Sequence, residues 1–207
     1  MNTAPCIYVV DDDRAVLLSV KAVVAELGFD VFCYLSADQF LSEAVTARTG
    51  CLITDLQMPG TSGLELQQIL LQQQSPLAVV VVTGVADVPM AVSFMRSGAV
   101  TLLEKPYDPS DLMRATKEAL ATSQLRWQQD QNQRSILQCL NKLTDQERQI
   151  MEAMLASKTN KAISQQLQIS MRTVDRRRSA ILDIMGVKSV AEMATSLSRF
   201  LPEAPRA

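Results

Sequence analysis

Five short apolar runs alternate with helix-length segments through the first half of the chain, and this alternation restricts the fold more than any other feature. The fourth run reads AVVVV without polar alternation, which is typical of a strand covered on both faces of a parallel sheet. Strands that alternate with helices predict an α/β doubly wound, five-stranded parallel sheet. The predicted strands are Cys6–Val10, Val31–Tyr34, Cys51–Thr54, Ala78–Val82 and Val100–Leu103.

The segments between these runs space their apolar residues as helices do. Asp87 and the pair Asp108-Pro109 stand at the start of two segments and are plausible helix caps. Residues 123–135 are polar and rich in glutamine without Gly or Pro, so we expect them to continue the preceding helix as a connector. The predicted helices of this half are Val16–Leu27, Ala37–Ala47, Gly63–Gln73, Val88–Ser97 and Pro109–Thr122.

The remaining residues predict four short helices joined by tight turns. The turn between the second and third of them is three residues long (168–170), which is typical of a helix-turn-helix. We therefore expect a first domain at residues 1–122, a helical connector at 123–141 and a small all-α helix-turn-helix domain at 142–207. The four predicted helices are Asp145–Ala156, Asn160–Leu167, Met171–Met185 and Val190–Arg199.

The net charge of −2 conceals two halves of opposite sign. Residues 1–122 carry 14 acidic and 7 basic side chains, whereas residues 123–207 carry 8 acidic and 13 basic side chains. This asymmetry predicts two domains with different partners. The basic half is a candidate for nucleic-acid binding, because neutralising phosphates releases counterions and so drives association.

The absence of histidine and the spacing of the cysteines exclude several kinds of catalytic and metal site. It contains no histidine, so catalysis by its own imidazole and histidine–zinc ligation are excluded. Its four cysteines form no C-x-x-C motif, and we expect them to be reduced. No signal-peptide pattern is present, and the longest apolar run, Leu77–Val82, is far shorter than a membrane helix. We therefore expect a cytoplasmic protein that does not contact membranes.

Polar residues with complementary chemistry stand at the ends of the predicted strands. Asp11–Asp13 follow the first strand and Asp55 follows the third, while Thr83 and Lys105 end the fourth and fifth strands. In an alternating topology these strand ends meet at one edge of the sheet. Converging carboxylates favour a hard cation such as Mg²⁺. A carboxylate beside Mg²⁺, a hydroxyl and an ammonium group is a suitable arrangement for phosphoryl transfer.

The motifs VVDDD at 9–13, TDLQMPGTSG at 54–63, VTG at 82–84 and EKPY at 104–107 resemble the receiver domain of two-component response regulators. The resemblance covers residues 5–122 and implies a sensor histidine kinase as phosphoryl donor rather than an enzyme acting on an external substrate. Asp13 lies outside the implied acidic pair. The implied roles are the phosphoacceptor Asp55, the Mg²⁺ ligands Asp11, Asp12, Asp55 and the backbone carbonyl of Gln57, and the phosphoryl-oxygen ligands Thr83 and Lys105.

One position departs from many receivers, and two other functions stay open beside the phosphorylation switch. Three residues before Lys105, where many receivers carry an aromatic switch residue, this chain has Leu102, which lacks the area and polar tip of tyrosine. The receiver could instead be a phosphorylation-independent protein-interaction module on a DNA-binding protein. A phosphatase of the haloacid dehalogenase type would need its nucleophile at the first strand, and it leaves Asp55 and the basic half unexplained.

The chain from Leu143 onward resembles the LuxR-type DNA-binding domain, in LTDQERQIM, SKTNKAISQQLQIS and MRTVDRRRSAILDIMGVKS. With the receiver ahead of it, the chain over about residues 5–199 resembles NarL/FixJ-family response regulators. At about 100° per residue, Arg172 and Arg176 lie about 160° and about 200° from Val174 on the helix from Met171. The predicted DNA contacts are Lys161, Arg172, Thr173, Arg176, Arg177 and Ser179.

The same helix projection places the neighbouring arginines beside its apolar stripe, which Val174, Ile181, Leu182 and Met185 form. We expect Arg177, where relatives often have histidine, to lie at a phosphate. For Arg178, pairing with an acid such as Glu147 and contact with DNA stay open. Phosphorylation is expected to favour a homodimer that matches paired half-sites on promoter DNA, or to free the DNA-binding half. Contact with RNA polymerase stays open.

Overall fold

The computed structural model describes residues 4–44, 48–84, 94 and 98–198. A sheet of five parallel strands lies in the first half, in the order β2-β1-β3-β4-β5. Each strand falls within one residue of its predicted position at either end, which confirms the predicted sheet. The strands are β1 (Cys6–Val10), β2 (Asp30–Tyr34), β3 (Gly50–Asp55), β4 (Ala78–Thr83) and β5 (Thr101–Glu104).

Four helices accompany the sheet in the described part of the first half. They are α1 (Arg14–Ala25), α2 (Ala37–Glu43), α3 (Gly63–Gln72) and α4 (Pro109–Asn141). The helix predicted at Val88–Ser97 and its cap Asp87 lie outside the described residues, apart from Phe94, which is helical and fully buried.

Both faces of the sheet are covered, which is why β1 and the central residues of β3 and β4 form apolar runs. Side chains alternate between the faces, so Tyr8 packs on one side with Phe40 and Leu66, and Ile7 packs on the other with Leu112. The central strands therefore hold the strand ends at fixed positions along one edge of the sheet.

Helix α4 runs for 33 residues and joins the last receiver helix to the predicted connector. Its start is fixed by Asp108, whose side chain accepts the Ser110 backbone N–H at 2.8 Å, and by Pro109 in the first helical position. The expected continuation of the helix through residues 123–135 is confirmed. The chain divides into two compact units between Gln128 and Gln129, within this helix.

Four short helices with polar caps follow α4 in the described part of the second unit, which ends at residue 198. Thr144 and Glu147 form a reciprocal capping box at the first, Thr159 and Ser170 cap the next two, and Gly186 ends the third with a φ of 65°. Their core contains Ile150, Ile163, Val174, Ile181 and Met193. The helices are α5 (Asp145–Leu155), α6 (Asn160–Leu167), α7 (Met171–Met185) and α8 (Val190–Ser198).

The receiver-like sheet followed by a helical unit confirms the predicted fold class. All four cysteines are free. None of the helices in the described ranges is both long enough and apolar enough to cross a membrane.

Candidate functional site

Four of the predicted site residues meet at the carboxyl edge of the sheet. Asp55 and Thr83 are the last residues of β3 and β4, and Asp11 and Lys105 directly follow β1 and β5. The register aligns these ends, since Asp55 is opposite Val82 in the neighbouring strand. The parallel topology thus brings together residues up to 94 positions apart in the chain.

Lys105 joins two of the carboxylates directly. Its Nζ donates to Asp11 Oδ2 at 3.1 Å and to Asp55 Oδ1 at 3.2 Å. The side chains of Lys105, Asp11 and Asp55 are 28%, 6% and 12% exposed, so the cluster is largely shielded from water. One ammonium group shared by two carboxylates leaves a net negative site that can accept a further cation.

The pKa values of Asp11 and Lys105 are both shifted in this cluster. Burial raises the pKa of Asp11 above its usual value, although the Asp13 N–H and Lys105 both stabilise its charged form. Burial alone would lower the pKa of Lys105, but the hydrogen bonds and charges of Asp11 and Asp55 together raise it. Lys105 is therefore fully charged at neutral pH.

The loop after β3 is fixed tightly around Asp55. Asp55 Oδ2 accepts the Gln57 backbone N–H at 3.1 Å, and the Gly63 N–H donates to the Leu56 carbonyl at 3.1 Å. A Cβ at Gly63 would lie 2.2 Å from the Asp55 carbonyl oxygen, so a side chain there must displace the backbone of Asp55. Sequence reasoning missed this constraint, although the Gly directly after Thr61-Ser62 marked a helix start.

A second anchor of this loop was also missed. Asp38, in α2, accepts the Thr61 hydroxyl hydrogen bond at 2.7 Å. Its other carboxylate oxygen lies 3.0 Å from where a Cβ at Gly60 would stand, and Gly60 has a φ of +78°. Residues 56–62 are therefore held from α2 as well as from α3. No short motif links positions 38 and 61, so only the folded arrangement reveals the contact.

The oxygen ligands at this edge fit a Mg²⁺ ion. In the described ranges no three Asp, Glu or Cys side chains are grouped closely enough to bind a metal by themselves. Mg²⁺ does not require such a group, because it binds through one or two carboxylates and keeps several waters. Asp11 and Asp55 supply converging carboxylates; the exposed Asp12 directly follows Asp11, and the Gln57 backbone contacts Asp55 through its N–H.

The other predicted residues of this site have distinct positions. Asp13 caps α1 through the Ala15 N–H at 2.7 Å, which accounts for the third acid of the run. Thr83 is buried, and its carbonyl accepts the Lys105 N–H at 2.7 Å. Leu102 is half-buried and packs against the sheet face that holds Tyr8 and Phe94.

Helix α7 separates its apolar and polar residues as the helix projection predicts. Val174 and Ile181 are fully buried, whereas Arg172, Arg176 and Ser179 are exposed. Of the other predicted DNA contacts, Lys161 is exposed near the start of α6. Thr173 is half-buried, with its hydroxyl 2.8 Å from that of the helix cap Ser170.

The structure corrects the interpretation of the arginine run. Arg177, not Arg178, pairs with Glu147, at 3.8 Å between Nη1 and Oε1. The Arg177 side chain is 27% exposed, and within the described ranges its buried Nε has no hydrogen-bond partner. The phosphate contact of Arg177 stays a prediction; in this structure α5 packs on the flank of α7 that carries Arg177.

Comparison with known proteins supports the two-part organisation. The family model for the response regulator receiver domain matches residues 7–117, and the model for bacterial regulatory proteins of the luxR family matches residues 141–197. The transcriptional regulatory protein FixJ of Bradyrhizobium diazoefficiens is 34% identical over 193 residues, covering 93% of this chain and 94% of that protein.

Solved structures of full-length regulators are also similar. The response regulator StyR has a TM-score of 0.84 at 31% identity, over 95% of this chain and 99% of that chain. Full-length FixJ from B. japonicum has a TM-score of 0.57 at 33% identity, over 96% of this chain and 98% of that chain. The chain belongs to the NarL/FixJ family of two-component response regulators, which regulate transcription and join a receiver domain to a LuxR-type DNA-binding domain.

Proposed function

We propose that this transcription regulator is switched by transfer of a phosphoryl group from a sensor histidine kinase to Asp55. The contact of Lys105 with both Asp11 and Asp55 carries the proposal, because it places one carboxylate where an ammonium group can offset phosphoryl charge. The donor histidine must belong to the kinase, since this chain has none. The chain itself turns over no external substrate.

In the proposed step an Asp55 carboxylate oxygen attacks the phosphorus of the phosphohistidine. The P–N bond breaks, a P–O bond forms, and the electron pair of the broken bond returns to the imidazole of the kinase. The Gln57 N–H orients Asp55, Lys105 offsets charge on one phosphoryl oxygen, and the Thr83 hydroxyl donates to another.

The residues proposed to hold Mg²⁺ are Asp11, Asp12, Asp55 and the backbone carbonyl of Gln57. When bound, the ion offsets negative charge on the phosphoryl oxygens and on the acidic cluster. Lys105, which contacts both Asp11 and Asp55, offsets part of the charge of these two carboxylates.

We propose that the second unit binds promoter DNA with the exposed side of α7 in the major groove. The charged contacts are Lys161, Arg172 and Arg176, and the hydroxyl contacts are Thr173 and Ser179. The proposed domain limits are 1–122 and 142–207, with the connector at 123–141. We propose that the phosphorylated form acts in the cytoplasm as a homodimer on paired half-sites.

The proposed phosphorylation site is tested by labelling the purified chain with radioactive acetyl phosphate and Mg²⁺. Asp55→Asn should abolish labelling, because the amide is a much weaker nucleophile than the carboxylate. Asp13→Asn is the matched control, since it removes a neighbouring acid but preserves the cap of α1. Labelling of Asp55→Asn at the wild-type level would refute Asp55 as the phosphoacceptor.

A second candidate function is favoured by Leu102, which packs on the core in place of an aromatic switch residue. In that case the receiver is a phosphorylation-independent interaction module. Beryllofluoride with Mg²⁺, a mimic of the phosphorylated state, separates the two functions. A change in dimerisation or DNA affinity supports the phosphorylation switch, and unchanged values support the module.

A further inference from the structure

Helix α7 is fixed to the second unit by more than its apolar stripe. Val174 and Ile181 are fully buried and hold one side of the helix against the core. Hydrophobic burial is non-directional. It determines which side of α7 faces the core, but it opposes small rotations of the helix about its axis only weakly. Rotation matters for this helix, because small rotations would carry its exposed side chains away from the DNA groups that they are proposed to contact.

Two polar pairs hold the flanks of α7. On one flank, Asp175 Oδ1 accepts a hydrogen bond from the Asn160 amide in α6. On the other flank, Arg177 pairs with Glu147 in α5. At about 100° per residue, Asp175 lies about 100° to one side of Val174 and Arg177 about 60° to the other. Rotation in either direction therefore stretches one of the two pairs.

The partners in the neighbouring helices are themselves fixed. Glu147 Oε2 accepts the Thr144 backbone N–H at 2.9 Å and its hydroxyl at 2.8 Å in the capping box of α5. Asn160 is the first residue of α6, directly after the cap Thr159. Each pair therefore connects α7 to a helix start that is already ordered by local hydrogen bonds.

The same pairs engage Asp175 and Arg177 beside the surface that we assign to DNA; Asp175 stays exposed, whereas Arg177 is half-buried. Arg172, Arg176 and Ser179 lie on the opposite side from Val174 and are exposed. To reach a phosphate, the Arg177 guanidinium would have to leave Glu147 and turn out of its half-buried position. Binding to Asn160 also orients the carboxylate of Asp175, whose charge would otherwise be free to approach the phosphates.

We propose that Asp175 and Arg177 are positioning residues that set the rotation of α7, acting through Asn160 and Glu147. The proposal rests on DNA binding by the exposed side of this helix. It assigns these two residues to sequence specificity rather than to neutralisation of phosphates. Removing either pair should weaken binding to a preferred duplex more than binding to a random one.

The test uses the full chain and two DNA probes. One is a duplex enriched by the wild-type chain from a random-sequence library, and the other is a random-sequence duplex of equal length. Asn160→Ala removes one pair without changing any charge. Glu147→Gln removes the charge partner of Arg177 while a glutamine can still complete the capping box. Each should lower the ratio of preferred to random affinity by about 3–10-fold.

Arg177→Met and Arg176→Met form the matched comparison. On the random duplex, Arg176→Met should reduce the slope of log K against log salt by about 0.9, because a phosphate contact is lost. Arg177→Met should leave that slope unchanged and lower the affinity ratio as Glu147→Gln does. Circular dichroism of each variant verifies that it is folded.

Two results would overturn the positioning role. A slope reduced by Arg177→Met as much as by Arg176→Met would make Arg177 a phosphate contact. Affinity ratios unchanged in Asn160→Ala and Glu147→Gln would show that the apolar stripe suffices to orient α7. If the wild-type chain enriches no duplex at all, the proposed DNA binding fails, and this outcome is distinct from the other two.

Discussion

The start of the connector is anchored to the sheet by one buried hydrogen bond, and its removal gives a quantitative prediction. Ser123, in α4, accepts the Gly50 backbone N–H at 2.8 Å, and both residues are fully or almost fully buried. Ser123→Ala removes the acceptor and leaves a buried N–H without a partner. The cost of such a group is about 1–3 kcal/mol, which changes the unfolding equilibrium about 5-fold to about 150-fold.

Urea unfolding of the first unit can measure this cost. Trp127 is the sole tryptophan, lies in the same helix and belongs to the same unit as Ser123, so its fluorescence reports on the relevant transition. The midpoint should fall while the denaturant slope stays unchanged, because the same surface is exposed on unfolding. Multiplying the change in midpoint by that slope gives the change in the free energy of unfolding.

Thr122→Ala is the matched control for Ser123→Ala. Its hydroxyl donates to the Glu118 carbonyl within the same helix turn, where the backbone stays paired after substitution. Its unfolding free energy should stay within about 0.5 kcal/mol of the wild-type value. If Ser123→Ala also stays within that limit, the Gly50 N–H has found another partner, and the anchoring role of Ser123 is refuted.

Three further predictions concern the two sites. Gly63→Ala should slow labelling by acetyl phosphate roughly 100-fold, because its Cβ displaces the Asp55 carbonyl, and unchanged labelling rates would contradict this. Chelating Mg²⁺ with EDTA should abolish labelling of Asp55, and added Mg²⁺ should restore it. The hydrogen bonds from Thr144 lower the pKa of Glu147 in the folded protein. They therefore stabilise the fold at pH values above the pKa that Glu147 has in the unfolded chain. This stabilisation is lost as the pH falls through the pKa of Glu147 in the folded protein. Urea unfolding between about pH 5 and about pH 3 should show this loss in the wild type and less of it in Glu147→Gln.

The sheet and the convergence of its acidic edge were predictable because both depend on order along the chain. Buried runs such as Ala78–Val82 are apolar throughout, and parallel strands bring their carboxyl ends to one edge. The positions of Asp11, Asp55 and Lys105 follow from that order alone. The start of α1 was displaced by two residues, because Asp13 was counted with the acidic run although its carboxylate caps the helix.

Contacts between helices were less predictable from the sequence. A helix projection gives the direction of each side chain from its own axis, but it does not show which neighbouring helix lies on which flank. This is why Arg178 was considered as a partner for Glu147 although Arg177 has that contact. The contact between Asp38 and Thr61 spans 23 residues and likewise depends on how α2 packs beside the loop after β3.

The second unit therefore carries more positively charged side chains than we propose to contact phosphates. The chain has three consecutive arginines at 176–178, but only Arg176 is fully exposed, and Arg177 is paired internally. The exposed cations assigned to DNA are Lys161, Arg172 and Arg176. Three phosphate contacts per chain predict a salt slope of about −2.7 for a monomer and about twice that for a dimer. A slope near −2.7 per chain in a salt titration supports this assignment, and a slope one unit steeper would mean that the internally paired arginine also reaches the backbone of the DNA.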